Sequence, residues 1–201
     1  MTLFSKTISY ILHPILIPVG GTIAYFMITP KYSPLAVQSG NVLPIFILTV
    51  VIPIISFLIL ANVGIVRSIW FPTTKERRYP LYVVIALLLM VLYKVIPNNY
   101  TPELYYFFIG LISAAAASLL LLYLNFKSSL HVTGMASLCM YLLSLSVHFE
   151  INITLALGFF ILATGLVATA RLYLERHSRA EVVIGFGIGV LSQLLTVKFW
   201  L

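Results

Sequence analysis

The sequence predicts an all-α, polytopic membrane protein of about six to seven transmembrane helices in one bundle, and two observations carry that prediction. Hydrophobic residues make up 61% of the 201 positions and the mean hydropathy is +1.09, far above the roughly half-apolar usage of soluble domains. The apolar residues also come in long runs approaching the ~20 residues that cross a hydrocarbon core. Runs such as Val83 to Leu92 and Ala114 to Leu122 do not alternate, which argues against the short alternating strands of a membrane β-barrel.

Seven apolar spans follow in order. The first, Ile8 to Ile28, contains His13-Pro14 and has no small-residue cleavage site behind it, so it is expected to be a retained span rather than a signal peptide. The second runs from Val42 to Val66. The third, Leu81 to Ile96, and the fifth, Val132 to Val147, are short, and such spans end inside protein or distort the bilayer locally. Tyr105 to Leu124, Ile153 to Leu172 and Val182 to Val197 are the fourth, sixth and seventh. The connections are brief and contain no Ser/Gly linker, charge block or low-complexity tract, so residues 1–201 are expected to form a single domain.

The net charge of +7 does not point to nucleic acid, because the positive residues sit in membrane-edge loops where Lys and Arg accumulate for topological reasons. The single cysteine, Cys139, excludes an intrachain disulfide. No His, Cys, Asp and Glu positions combine into a convincing metal-ligand set. If the spans are crossed in turn, the N-terminus and the loops after spans two, four and six share one side. That side holds Lys6, Arg67, Lys75, Arg77, Arg78, Lys127, Arg171, Arg176 and Arg179, against Lys31, Lys94 and Lys198 opposite. The imbalance faces the first side toward the cytoplasm.

Three polar clusters lie on that side: Lys75-Glu-Arg-Arg-Tyr-Pro80, Lys127-Ser-Ser-Leu-His131, and Arg171 to Glu181. Arg171 to Glu181 alone carries five of the seventeen Lys, Arg, Asp and Glu residues, a concentration that marks a functional site in a membrane chain. Together the clusters suit a tetrahedral oxyanion. Arginine offers a planar fork of donors, lysine a point charge, and Ser129 a hydroxyl. A histidine paired with a carboxylate is an activated base or nucleophile. His177 and Glu181 are four apart and share a face if the seventh span begins in this loop. Arg171 then meets them only if the chain breaks between spans six and seven. The blander readings are that Arg171 with Glu175, and Glu175 with Arg179, form helix-end salt bridges, and that Glu175, Arg176 and Arg179 serve topology and solvation. His13-Pro14 caps a kink or bonds across the bundle, His148 pairs with Glu150 at the far face, and Gly185-Phe-Gly-Ile-Gly189 permits close helix packing rather than dinucleotide binding.

These residues resemble the type 2 phosphatidic acid phosphatase superfamily, which shares its catalytic core with vanadium haloperoxidases. That family's third motif is Ser-Arg, five residues, His, three residues, Asp; this chain reads Ala170-Arg171, five residues, His177, three residues, Glu181, before an apolar Gly-rich helix. The second motif, Pro-Ser-Gly-His, is similar to Ser128-Ser129-Leu130-His131, and the first is represented by the basic cluster Lys75 to Pro80. The resemblance covers about 75–195. It implies a lipid phosphate or diphosphate phosphatase of the membrane, with lipid substrate and bilayer as partners and no cofactor or metal. By the resemblance, His177 is the nucleophile that becomes a phosphohistidine, Glu181 orients it, and His131 serves the leaving group and then water. Arg171, Ser129 and one or both of Arg77 and Arg78, with Lys75, hold the phosphoryl oxygens. A phosphotransferase of the same chemistry and a non-catalytic lipid-phosphate binding or transport protein are the alternatives. The expected location is a bacterial cytoplasmic membrane, with the active face toward the cytoplasm.

Overall fold

The computed structural model describes residues 2–66, 73–96 and 101–200, and these form helices and their connections with no β-strand among them. Arg67, counted above on the basic side, lies outside the described residues. The described residues form seven helical rods, two of them composite. The first rod is α1 (Thr2–Ile11), a 3₁₀ turn (Pro14–Leu16) and α2 (Ile17–Ile28). It breaks where Pro14 has no N–H to donate and its ring collides with the preceding turn. The second rod is α3 (Leu35–Phe46), a π-helical turn (Ile47–Val51) and α4 (Ile52–Asn62); Pro44 and Pro53 flank the π turn and interrupt the regular hydrogen-bond ladder there. The remaining rods are α5 (Arg78–Lys94), α6 (Pro102–Tyr123), α7 (Leu130–His148), α8 (Thr154–Tyr173) and α9 (Arg179–Val197).

Six of the rods are long and apolar enough to cross a membrane, so the all-α, polytopic membrane architecture stands. The 17-residue α5 is the short one. The fifth span, expected to be short, is instead a 19-residue helix. Its ends carry His131 and His148, polar residues that an apolar-run count omits.

Helix α7 is the centre of the bundle, in contact with α2, α6, α8 and α9. Met135, Tyr141, Leu142 and Leu145 are almost completely buried, and Tyr141 stacks on Phe107 of α6 at 4.2 Å. The α7–α9 seam is tight because α9 presents glycine to it. A Cβ on Gly189 would stand 2.3 Å from the Thr133 carbonyl oxygen. The Thr133 hydroxyl donates to the Gly185 carbonyl at 2.9 Å and the Ser137 hydroxyl to that of Gly189 at 3.2 Å. This is the close approach that small residues permit in membrane helices.

At the far end, His148 does not pair with Glu150. Glu150 terminates α7 in the left-handed region, φ 54°. His148 Nε2 instead lies 3.8 Å from Glu103, which is 2% exposed and accepts from Lys31 Nζ at 2.5 Å and the Tyr25 hydroxyl at 3.2 Å. The two hydrogen bonds join α2 and Lys31 to α6, and His148 brings the end of α7 alongside, opposite the basic clusters.

Candidate functional site

Helix α8 ends by the geometry that the site requires. Glu175 adopts φ 53°, its N–H bonds the Leu172 carbonyl, and the Arg176 N–H bonds the Arg171 carbonyl. This Schellman-type stop usually uses glycine, and it reverses the chain within a few residues. The break that the Arg171–His177 spacing demands is therefore present. It also removes the helix on which Glu175 could pair with Arg171 or Arg179.

Helix α9 then starts with a capping box. The Ser178 hydroxyl accepts from the Glu181 N–H at 3.3 Å and Glu181 Oε2 accepts from the Ser178 N–H at 3.1 Å. The same Oε2 lies 2.8 Å from His177 Nδ1. His177 precedes the cap residue, so the pair forms across a helix start, not along a helix face. One carboxylate oxygen thus caps the helix and holds the imidazole. A neutral ring here carries its hydrogen on Nδ1 and a lone pair on Nε2. His177 is 7% exposed, and burial pushes its pKa down to about 4; the Glu181 hydrogen bond opposes that shift, while Arg171 and Arg77 reinforce it.

The start of α7 is tied to this unit by the Ser129 N–H, which donates to the Glu181 carbonyl at 3.1 Å. His131, two residues further on, points its Nε2–H at the Ser9 carbonyl, 3.2 Å away. The break before Pro14 leaves that carbonyl available. His13 meets His131 edge to face, with ring centroids 5.0 Å apart, and Arg171 lies within electrostatic reach of His13, His131 and His177.

A cavity of about 870 Å³ opens against this arrangement. Its polar end is lined by Lys6, His13, Arg77, Ser128, His131, Arg171 and Arg176, and among the described residues no carboxylate lines it. The rest of its wall is apolar, from Ile54 and Phe57 of α4, Leu81 and Leu88 of α5, and Leu111 and Ala115 of α6. The hydroxyls of Ser128 and Ser129 and Nε of Arg171 are buried without a hydrogen-bond partner among the described residues. Buried donors of this kind are costly unless something accepts from them, and an anion would. Among the described residues no group of three or more His, Cys, Asp and Glu is placed to hold a metal.

The predicted site residues therefore divide. Arg171, His177, Glu181, His131, Ser129 and Arg77 come together. Arg77 sits in the turn before α5, where burial lowers its pKa, Glu181 opposes that shift and Arg176 adds to it. His177, Glu181 and Ser129 are packed beside the cavity rather than on its wall. Arg78 is not part of the site. Its guanidinium donates to the Leu122 carbonyl at 2.9 Å and covers the Tyr123 ring at 4.1 Å, because α5 begins against the C-terminal end of α6 with its unsatisfied carbonyls. Lys75 is exposed in the preceding turn and is not on the cavity wall.

The structure adds residues that sequence reasoning set aside. Arg176, read as a topological charge, lines the cavity, as do Lys6, Ser9 and His13 of the first rod. The capping box had a legible signal in Ser178-Arg-Ala-Glu181. Lys6 was already counted on the basic side, whereas Ser9 and His13 had no signal, since packing of α1 on α8 brings them to the site. In comparison with known proteins, the chain matches no family model, no curated protein and no solved structure.

Proposed function

We propose that this protein is a membrane-embedded lipid phosphate or diphosphate phosphatase working through a phosphohistidine. The supporting observation is the buried His177–Glu181 pair beside a cavity whose one end is cationic and whose remainder is apolar. That combination fits an anionic headgroup attached to hydrocarbon. The lone pair on His177 Nε2 attacks the terminal phosphorus, an N–P bond forms, and the P–O bond to the lipid alcohol, or to the lipid monophosphate of a diphosphate, breaks. Glu181 stabilises the resulting charge on the ring. His131 offers a ligand only Nδ1, since Nε2–H is held by Ser9. In its protonated form it gives the Nδ1 proton to the leaving oxygen. As a neutral base it then takes a proton from water, whose oxygen attacks phosphorus, breaks the N–P bond and releases inorganic phosphate. The arginines offset charge on the equatorial oxygens, which is most of what phosphoryl transfer asks of a protein.

The His177 side chain is 2% exposed, so attack requires a local opening of the residues around it. That covered ring favours a second reading, in which the cavity binds or carries lipid phosphate without cleaving it. We place the site at the cytoplasmic face of a bacterial inner membrane, on the excess of Lys and Arg at this end.

The deciding measurement is phosphate release by the purified protein from phosphatidic acid, phosphatidylglycerophosphate and polyprenyl diphosphate in mixed micelles. Release that His177→Ala abolishes and vanadate blocks is expected. Binding without release supports the carrier reading, and full activity in His177→Ala refutes the phosphohistidine. A competing alcohol acceptor distinguishes transfer from hydrolysis by its product.

A further inference from the structure

We propose that His13 is a third histidine of the phosphate site, donating a hydrogen bond from Nε2–H to a phosphoryl oxygen of the substrate. The proposal rests on the phosphatase reading of the site. Three observations carry it. His13 lines the cationic end of the cavity with Arg171 and Arg176. Its Nδ1 accepts the Ile15 N–H at 3.3 Å, capping the 3₁₀ turn. Its ring meets His131 edge to face. An N–H donor bonded to Nδ1 requires the lone pair there, so a neutral His13 carries its hydrogen on Nε2. The cap therefore fixes the tautomer, and the one nitrogen left for a ligand is a donor.

The adjoining rings are complementary. His131 has its hydrogen on Nε2, held by Ser9, and keeps a lone pair on Nδ1. His13 supplies a donor and His131 an acceptor, side by side at one end of the cavity. A phosphoryl oxygen suits the first, and a proton of the attacking water the second. Both rings depend on the break at Pro14. It frees the Ser9 carbonyl and places His13 at the head of the 3₁₀ turn, so the N-terminal rod becomes part of the site.

Two amide substitutions separate the ligand role from the cap. His13→Asn keeps an oxygen where Nδ1 was and is a good cap residue, but it has nothing at the Nε2 position. His13→Gln places an amide N–H near Nε2 and loses the cap. If His13 holds phosphate, His13→Asn lowers kcat/KM for phosphatidic acid in mixed micelles by about 10- to 100-fold, the range of a hydrogen bond to a charged group, with an unchanged melting temperature. His13→Gln, which restores an N–H near that position, recovers part of the turnover that His13→Asn loses, and it melts lower. Wild-type turnover in His13→Asn, or equal loss in both variants, overturns the proposal. If the wild-type protein releases no phosphate from lipid, the phosphatase reading falls by itself. Calorimetric titration with inorganic phosphate then decides: weaker binding to His13→Asn supports the role of His13, and equal or undetectable binding by both proteins overturns it.

Discussion

Glu181 is the residue whose replacement tests the site most sharply, because a single oxygen performs two separable tasks. Oε2 accepts the Ser178 N–H at 3.1 Å and faces His177 Nδ1 at 2.8 Å. In Glu181→Ala the cap loses half its box, at about 1 kcal/mol, and the buried His177 donor loses its acceptor, at about 1–3 kcal/mol. The combined destabilisation is about 2–4 kcal/mol, and at ~2–4 °C per kcal/mol for a chain of this size the melting temperature drops by many degrees. In Glu181→Gln an amide oxygen can accept both hydrogens, and glutamine is also a capping-box residue. What disappears is the charge, worth about 0.3–1 kcal/mol near a helix N-terminus. Catalysis responds in the opposite proportion. An amide cannot stabilise the charge that forms on His177, and the corresponding change in Ser-His-Asp triads costs about 10⁴-fold in kcat. Thermal unfolding in detergent and phosphate release, measured on the same preparations, give the two readouts. The expected pattern is a stable, inactive Glu181→Gln and a destabilised, inactive Glu181→Ala. A Glu181→Gln protein with wild-type turnover refutes the role of the carboxylate, and a Glu181→Ala protein with wild-type melting refutes its structural role.

Other expectations follow from the same geometry. Burial depresses His177 to about 4, below its ordinary value of about 6.5. Between those values the unfolded chain binds more protons at this group than the folded one, so its contribution makes stability fall as pH drops from about 6.5 toward 4 and stay flat above. His177→Gln removes that slope in a pH series of melting temperatures. Gly189→Ala drives a Cβ to 2.3 Å from the Thr133 carbonyl and destabilises by about 1–3 kcal/mol, as overpacking does. Gly187→Ala meets nothing within 4 Å and is neutral or stabilising by up to about 1 kcal/mol; equal melting of the two variants contradicts the seam. Arg78→Ala loses the bond to the Leu122 carbonyl and the Tyr123 contact, about 1–2 kcal/mol, with kcat retained. Arg171→Ala abolishes phosphate release, and a comparison of the two variants at matched folded fraction checks the division.

Much of this molecule is legible along the chain because its causes are local. Apolar runs near bilayer length define the rods, since backbone polarity in lipid leaves little choice but helix. The Arg171, His177 and Glu181 spacing marks the segment that carries the His177–Glu181 pair, and Pro14, Pro44 and Pro53 explain where the two composite rods break. Packing decided the rest. Arg77 and Arg78 are adjacent and chemically identical, yet neighbouring helical positions are set about 100° apart. Arg77 faces the cavity, while Arg78 caps α6. Lys6, Ser9 and His13 lie more than a hundred residues from His131 in sequence and reach it only because α1 packs on α8 and the rod bends at Pro14. Arg176 follows from the left-handed turn at Glu175, a conformation with no glycine to announce it. Residue types and local spacing are properties of the chain, whereas the direction in which each charge points depends on how the rods rotate and stack.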